Sequence, residues 1–147
     1  MAADAAYRKA VELLARRAHF EWEIRRKLRS RGFEEDECAE VMTRLRDEGL
    51  VDDRESAAMF VEGRLRRGPM GRRRLRAELE RRGARAEAVE AALESLTIES
   101  ERELAREAAR RFKNRRTAKP DALLRHLDRL GFSPHDILAV AEEHETG

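Results

Sequence analysis

The apolar positions of this chain form one pattern written three times. A Leu or Ile stands eight residues before each of Gly32, Gly83 and Gly131, and a Leu stands four before. The pairs are Ile24/Leu28, Leu75/Leu79 and Leu123/Leu127. Cys38, Val89 and Ile137 follow six residues after these glycines, and Val41, Ala92 and Val140 nine after. Steps of three and four belong to a helix face, so each unit reads as helix, glycine stop, helix. The glycines lie 51 and 48 residues apart. That period implies stacked helical units with an extended surface and argues against a single-pocket enzyme.

A helix ahead of each pair completes three per unit. In the first unit the spacing predicts helices over about 4–18, 21–31 and 34–48. Ala10, Val11, Leu14 and Ala15 supply the apolar side of the first. Gly32 ends the second, where a left-handed conformation costs glycine nothing. Cys38, Val41, Met42 and Leu45 form the buried face of the third, which stops at Gly49. Asp52 and Glu55 then make a capping box for a helix carrying Ala57, Phe60, Val61 and Leu65, ended by Gly68-Pro69. Helices over 70–82 and 86–96 complete the second unit. The third runs through Leu104, Ala108 and Phe112, a turn at Asn114–Lys119, and helices opened by Pro120 and by Ser133-Pro134. The expected fold is all-α, with nine helices in three tandem three-helix repeats over 1–50, 51–97 and 98–147. Each repeat must bury its apolar faces against its neighbours, which predicts an elongated, curved array.

Composition supports this. Hydrophobic residues make up 41% and charged residues 42%, with 5% aromatic, a supply that suits helices and starves sheets. The regular apolar spacing argues against the disorder such charge could otherwise signal. Cys38 is the one cysteine, so no disulfide framework or cysteine metal site forms within the chain. That fits a reducing cytoplasm, with Cys38 as a buried structural thiol. The start of the chain carries no apolar targeting segment, and no apolar run approaches the ~18 residues of a membrane span.

Net charge is only +2, yet it is distributed unevenly. Residues 34–55 hold ten acids and three Arg, whereas 64–85 hold ten Arg and two Glu. Each unit is basic in its first two helices and acidic in its third. These charges could simply neutralise one another on adjacent helices, contributing little. Around the Gly68-Pro69 turn, however, Arg66-Arg67 and Arg72-Arg73-Arg74 crowd together, and clustered guanidiniums suit phosphate or carboxylate. The candidate partner- and DNA-binding residues are Arg64, Arg66, Arg67, Arg72, Arg73, Arg74 and Arg76, with Arg16, Arg17, Arg25 and Lys27 in the first unit. Arg72, Arg73 and Arg76 are expected to share an exposed side of their helix. Their loss together with Arg67 should then leave the fold intact.

Catalytic arrangements are absent. There is no phosphate loop, dinucleotide fingerprint or His-Glu-x-x-His. His19, His126, His135 and His144 are scattered, with His126 expected on an exposed helix side. Phe20 and Trp22 beside Arg25 and Arg26 could stack on bases, but packing is the simpler role. No enzyme, cofactor or metal is expected.

The second unit carries a recognisable run: Leu50-Val51-Asp52-Asp53, Ala57, Phe60-Val61, Arg64, Arg67-Gly68-Pro69, Gly71, Arg73, Leu75, Leu79 and Gly83. It resembles the signature of the RecX family, bacterial regulators that bind RecA. Leu14, Arg16-Arg17, Ile24, Lys27-Leu28 and Gly32-Phe33 agree in the first unit. Phe112, Leu123, Leu127, Gly131-Phe132-Ser133 and Ile137 agree more loosely in the third. The resemblance implies three tandem three-helix repeats and a cytoplasmic modulator of recombination, DNA repair and the SOS response. Such a protein would bind the RecA–DNA filament as a monomer and inhibit its ATP hydrolysis, strand exchange and coprotease activity. Weak, non-specific contact with single- or double-stranded DNA would accompany this. The alternatives are an autonomous nucleic-acid-binding helical protein, or a passive adaptor whose charges keep it in solution. Where the family opens its second helix with Ser or Thr, this chain has Ala18-His19-Phe20, so that helix start is expected to fray or shift.

Overall fold

The computed structural model describes residues 2–115 and 119–146. Among these are nine α-helices and no strand: α1 Ala2–Arg16, α2 Glu21–Ser30, α3 Glu35–Asp47, α4 Asp53–Arg67, α5 Arg72–Arg81, α6 Ala86–Glu94, α7 Ile98–Arg115, α8 Pro120–Arg129 and α9 Pro134–Thr146. The chain divides into two compact units, the first being Met1–Ala57 with Leu79–Val89, the second Ala58–Glu78 with Glu90–Gly147.

The three pattern glycines do what the spacing predicts. Gly32, Gly83 and Gly131 have φ of 92°, 82° and 89°. After each, the next N–H reaches back to the pattern leucine: Phe33 to Leu28 O at 3.2 Å, Ala84 to Leu79 O at 3.1 Å, and Phe132 to Leu127 O at 3.3 Å. This is the 6→1 bond of a helix C-terminus closed by a left-handed residue. The same leucines are fully buried, so one residue type both fills the core and receives the turn.

In the first unit, Ile24 and Leu28 of α2 meet Cys38, Val41, Met42 and Leu45 of α3, with Ala6 and Ala10 of α1. Burial pushes the Cys38 thiol above its usual range, as befits an inert packing residue. In the second unit, Ala105, Ala108 and Ala109 of α7 pack with Leu123, Leu127, Phe132, Ile137 and Val140. The small alanines leave room for the fully buried Phe132 ring.

Several expectations need correction. The buried stripe of α1 is Ala6, Ala10 and Leu13, with Leu14 partly buried, while Val11 is 37% exposed and Ala15 lies outside. Two overlapping apolar stripes exist in α1, and packing against α3 selects one. The helix expected from Met70 begins at Arg72 instead. The N–H of Gly71 is bound at 2.8 Å to Leu130 O, and its carbonyl accepts from Leu75 N. α7 runs through Asn114 to Arg115, so these two residues are helix and not part of the turn expected at Asn114–Lys119, and 116–118 lie outside the described residues. The Ser133 hydroxyl does cap α9, accepting from Asp136 N at 3.2 Å.

Candidate partner and nucleic-acid interface

The start of α2 is capped. The missing Ser or Thr is replaced by two carboxylates: Glu23 Oε1 accepts from Phe20 N at 3.1 Å, and Asp53 Oδ1, from the first turn of α4, accepts from Glu21 N at 3.0 Å. Glu21 in turn holds Arg46 of α3 and Arg85, the latter at 3.1 Å. Asp53 is buried with Oδ2 unpartnered. Burial raises its pKa and the Glu21 charge adds to this, while the Glu21 N–H and the Arg85 charge oppose it only in part. Asp53→Ala should therefore cost about 1 kcal/mol in urea unfolding. Asp53→Asn keeps the cap oxygen without a buried charge and should cost nothing. An equal loss in both variants would show that the charge, not the cap, is what matters.

The same device recurs at α5. Buried Glu101, from the first turn of α7, accepts from both Arg72 N and Arg72 Nε at 3.2 Å. Asp53 and Glu101 are 48 residues apart, and the helix starts at Glu21 and Arg72 are 51 apart. Those are the spacings of the glycines, so this joint was visible in the sequence to anyone comparing acids as well as apolar residues.

The glycine ends receive the other side of each joint. A Cβ on Gly83 would come closer than 3.0 Å to the Trp22 ring, and one on Gly131 equally close to the backbone of Arg74. Trp22 thus packs against Gly83 and beneath the Arg26 guanidinium, 4.8 Å from its centroid. That is the packing role, for one side of a residue that stays 46% exposed.

This placement changes the meaning of the arginine cluster. Arg72 also donates to Leu96 O. Arg73 donates to Asp128 O at 2.6 Å and Asp128 Oδ1 at 2.8 Å, and Arg74 to Arg129 O at 3.3 Å. Cations at the start of α5 oppose its own dipole, but here they satisfy carbonyls at the end of α8. Arg76 pairs with Glu90, and Arg64 grips Glu78 through two bonds of 2.8 and 2.9 Å. The expectation that Arg72 and Arg76 stand exposed is corrected: both are half-buried, and they serve internal joints. Arg16 and Arg25 lie 3.7 Å from Glu12 and Glu35, loose pairs at an exposed surface. Arg17 holds Glu23 at 2.9 Å. Arg66 and Arg67 are exposed and make no ion pair with a described residue.

Lys27 is engaged too. Its Nζ lies 3.0 Å from His19 Nε2, while His19 Nδ1 lies 2.9 Å from Arg17 O. An ammonium only donates and a carbonyl only accepts, so His19 is neutral with its proton on Nδ1. Burial, then the Arg17 and Lys27 charges, hold its pKa below 6.5. Stability from this group is full above about pH 6.5 and is lost as pH falls through the depressed folded value. His144, lowered by burial and Lys113, acts in the same direction. Urea midpoints at pH 7, 6 and 5 should fall progressively, and less steeply in His19→Gln. Parallel slopes in the two proteins would remove His19 from the account.

His126 is half-buried and stacked on Phe112, with 4.6 Å between centroids, which corrects the exposed position expected for it. The sequence contained no sign of that contact, since the two residues lie on different helices.

Two family models match the chain. One describes the first three-helix domain of RecX and covers residues 6–45, and the other describes the second three-helix domain and covers 52–93. Regulatory protein RecX of Geobacillus kaustophilus is 32% identical over 140 residues, spanning 92% of this chain and 52% of that protein. The chain thus spans about half the length of that relative. Regulatory protein RecX of Chromohalobacter salexigens is 39% identical over 103 residues, 70% of this chain and 67% of that protein. The crystal structure of RecX from Lactobacillus salivarius matches with a TM-score of 0.88 at 22% identity, over 99% of this chain and 98% of that one. At that identity the structural likeness speaks to the fold alone. With both three-helix domains matched in order and relatives above 30% identity, the chain belongs to the RecX family of regulatory proteins.

Proposed function

We propose that this protein binds the RecA–DNA filament in the cytoplasm, as a monomer without catalysis of its own, and restrains ATP hydrolysis, strand exchange and coprotease activity. The observation that carries this reading is the ordered match of both family domains. Basic segments support an auxiliary, sequence-independent contact with DNA. Among the candidate residues, Arg66 and Arg67 suit that contact best, because their charge is not spent on an internal pair. No helix among the described residues is long and apolar enough to cross a membrane.

The test adds the protein to RecA assembled on single-stranded DNA and follows ATP hydrolysis, which should fall with increasing protein. DNA affinity measured alone should drop steeply with salt. Unchanged hydrolysis at a molar excess would overturn the filament reading. Salt-sensitive DNA binding without that effect would favour the autonomous nucleic-acid-binding alternative.

A further inference from the structure

Arg67 and His126 are far apart in sequence, yet the second unit brings them to one cavity. It has a volume of about 200 Å3 and is lined by Arg67, Pro69, Arg111, Phe112, His126 and Leu130, among others. α4 contributes its last residue and the turn that follows, and α7, α8 and Leu130 just past α8 contribute the rest. Drug-sized ligands need roughly 300 Å3 or more, so this cavity suits a single ring system.

Its walls and rim differ in chemistry. Phe112 and His126, stacked on one another with their rings inclined by 23°, supply the aromatic part of the lining, and Pro69 and Leu130 extend it with apolar surface. Two guanidiniums stand at the rim. Arg67 is exposed and makes no ion pair with a described residue. Arg111 holds Glu107 of its own helix at 2.7 Å, an exposed pair of the kind that contributes little and exchanges readily. Its guanidinium reaches the Gly68 turn beside Arg67, since a Cβ on Gly68 would lie 3.4 Å from Arg111 Nη1. None of the lining residues is acidic. Aromatic and apolar lining with two cations beside it matches a ligand that is flat at one end and anionic at the other.

We propose that this cavity takes one unpaired nucleotide of a single strand, the base against the Phe112–His126 wall and the phosphate between Arg67 and Arg111. A duplex offers the same phosphates, but its bases are stacked and paired, and presenting one requires unstacking. A bare polyanion fills the rim and leaves the wall empty. The inference rests on the DNA-binding part of the function proposed above. It adds a preference for single strands over duplex, and for bases over bare phosphate.

The test measures fluorescence anisotropy with the whole protein at one salt concentration. The probes are oligothymidylate, an abasic strand of equal length and charge, the corresponding duplex, and polyglutamate as competitor. Oligothymidylate should bind at least about fivefold tighter than the abasic strand, the lower end of what base–aromatic stacking supplies. Phe112→Leu keeps an apolar side chain in place and should abolish most of that difference; if it melts early, His126→Ala should do the same. Arg67→Gln should weaken both strands alike. Trp22, the one tryptophan, belongs to the first unit, so its emission should not respond to bases. Equal affinity for both strands would overturn the proposal while leaving DNA binding intact, and so would a response of Trp22 that accounts for the difference. Failure of both strands to bind would remove the DNA-binding reading as well. Displacement of oligothymidylate by polyglutamate at lower concentration would reassign the cavity to an acidic peptide.

Discussion

Gly131→Ala is expected to destabilise the second unit by about 3 kcal/mol or more, whereas Gly32→Ala should cost only about 1–2 kcal/mol. The two glycines occupy the same place in the sequence pattern and have nearly the same φ, 89° and 92°. A left-handed conformation penalises alanine similarly at both. Surroundings make the difference. A Cβ at Gly32 meets nothing within 4 Å, while one at Gly131 lies closer than 3.0 Å to the backbone of Arg74. Backbone cannot rotate aside as a side chain can. The joint it would disturb includes Gly71 N to Leu130 O at 2.8 Å and Arg73 N to Gly131 O at 3.2 Å. Urea unfolding followed by circular dichroism distinguishes the outcomes. Equal losses at the two positions would mean that the joint yields at little cost and that only φ matters.

Removing Arg72, Arg73 and Arg76 together should cost the second unit about 2–4 kcal/mol, mostly through Arg72. Without that guanidinium, buried Glu101 keeps only the Arg72 backbone N–H among its contacts with α5. Arg73 and Arg76 make exposed or half-exposed pairs whose loss is smaller. Arg66→Ala with Arg67→Ala should behave in the opposite way. Stability should stay within about 0.5 kcal/mol, as at other surface sites. The slope of log affinity against log salt for single-stranded DNA should fall by about 1.4, the value for two lost phosphate contacts. Thermal melts and salt titrations of the two variants decide the matter. A stable triple variant with impaired DNA binding would return the contact surface to α5, as the charge pattern alone had suggested.

The family and the order of its domains were legible because they depend on local rules. Leu28, Leu79 and Leu127 with their glycines declare a buried face and a left-handed stop wherever they occur. Asp52 caps α4 through Arg54 N at 3.0 Å, as its position before an acidic first turn predicts. The start of α2 was misjudged because part of its cap comes from Asp53, thirty-two residues away in sequence, and local rules contain no such acceptor. The candidate site was legible as charge but not as availability. Ten arginines in 64–85 say where positive charge is concentrated. They do not say which guanidiniums reach carbonyls of another helix.

The sequence by itself determined the nine helices of the described residues, their glycine stops and most of their buried faces, because hydrophobic period, backbone freedom and capping act within a few residues. Only the tertiary structure decided what each charged side chain is for. A guanidinium satisfies whichever acceptor lies nearest in space, so Arg72, Arg73 and Arg74 became joints at the ends of helices, and Arg66 and Arg67 were left facing solvent. It alone set Phe112 against His126 beside Arg67 and Arg111, a neighbourhood no spacing along the chain encodes.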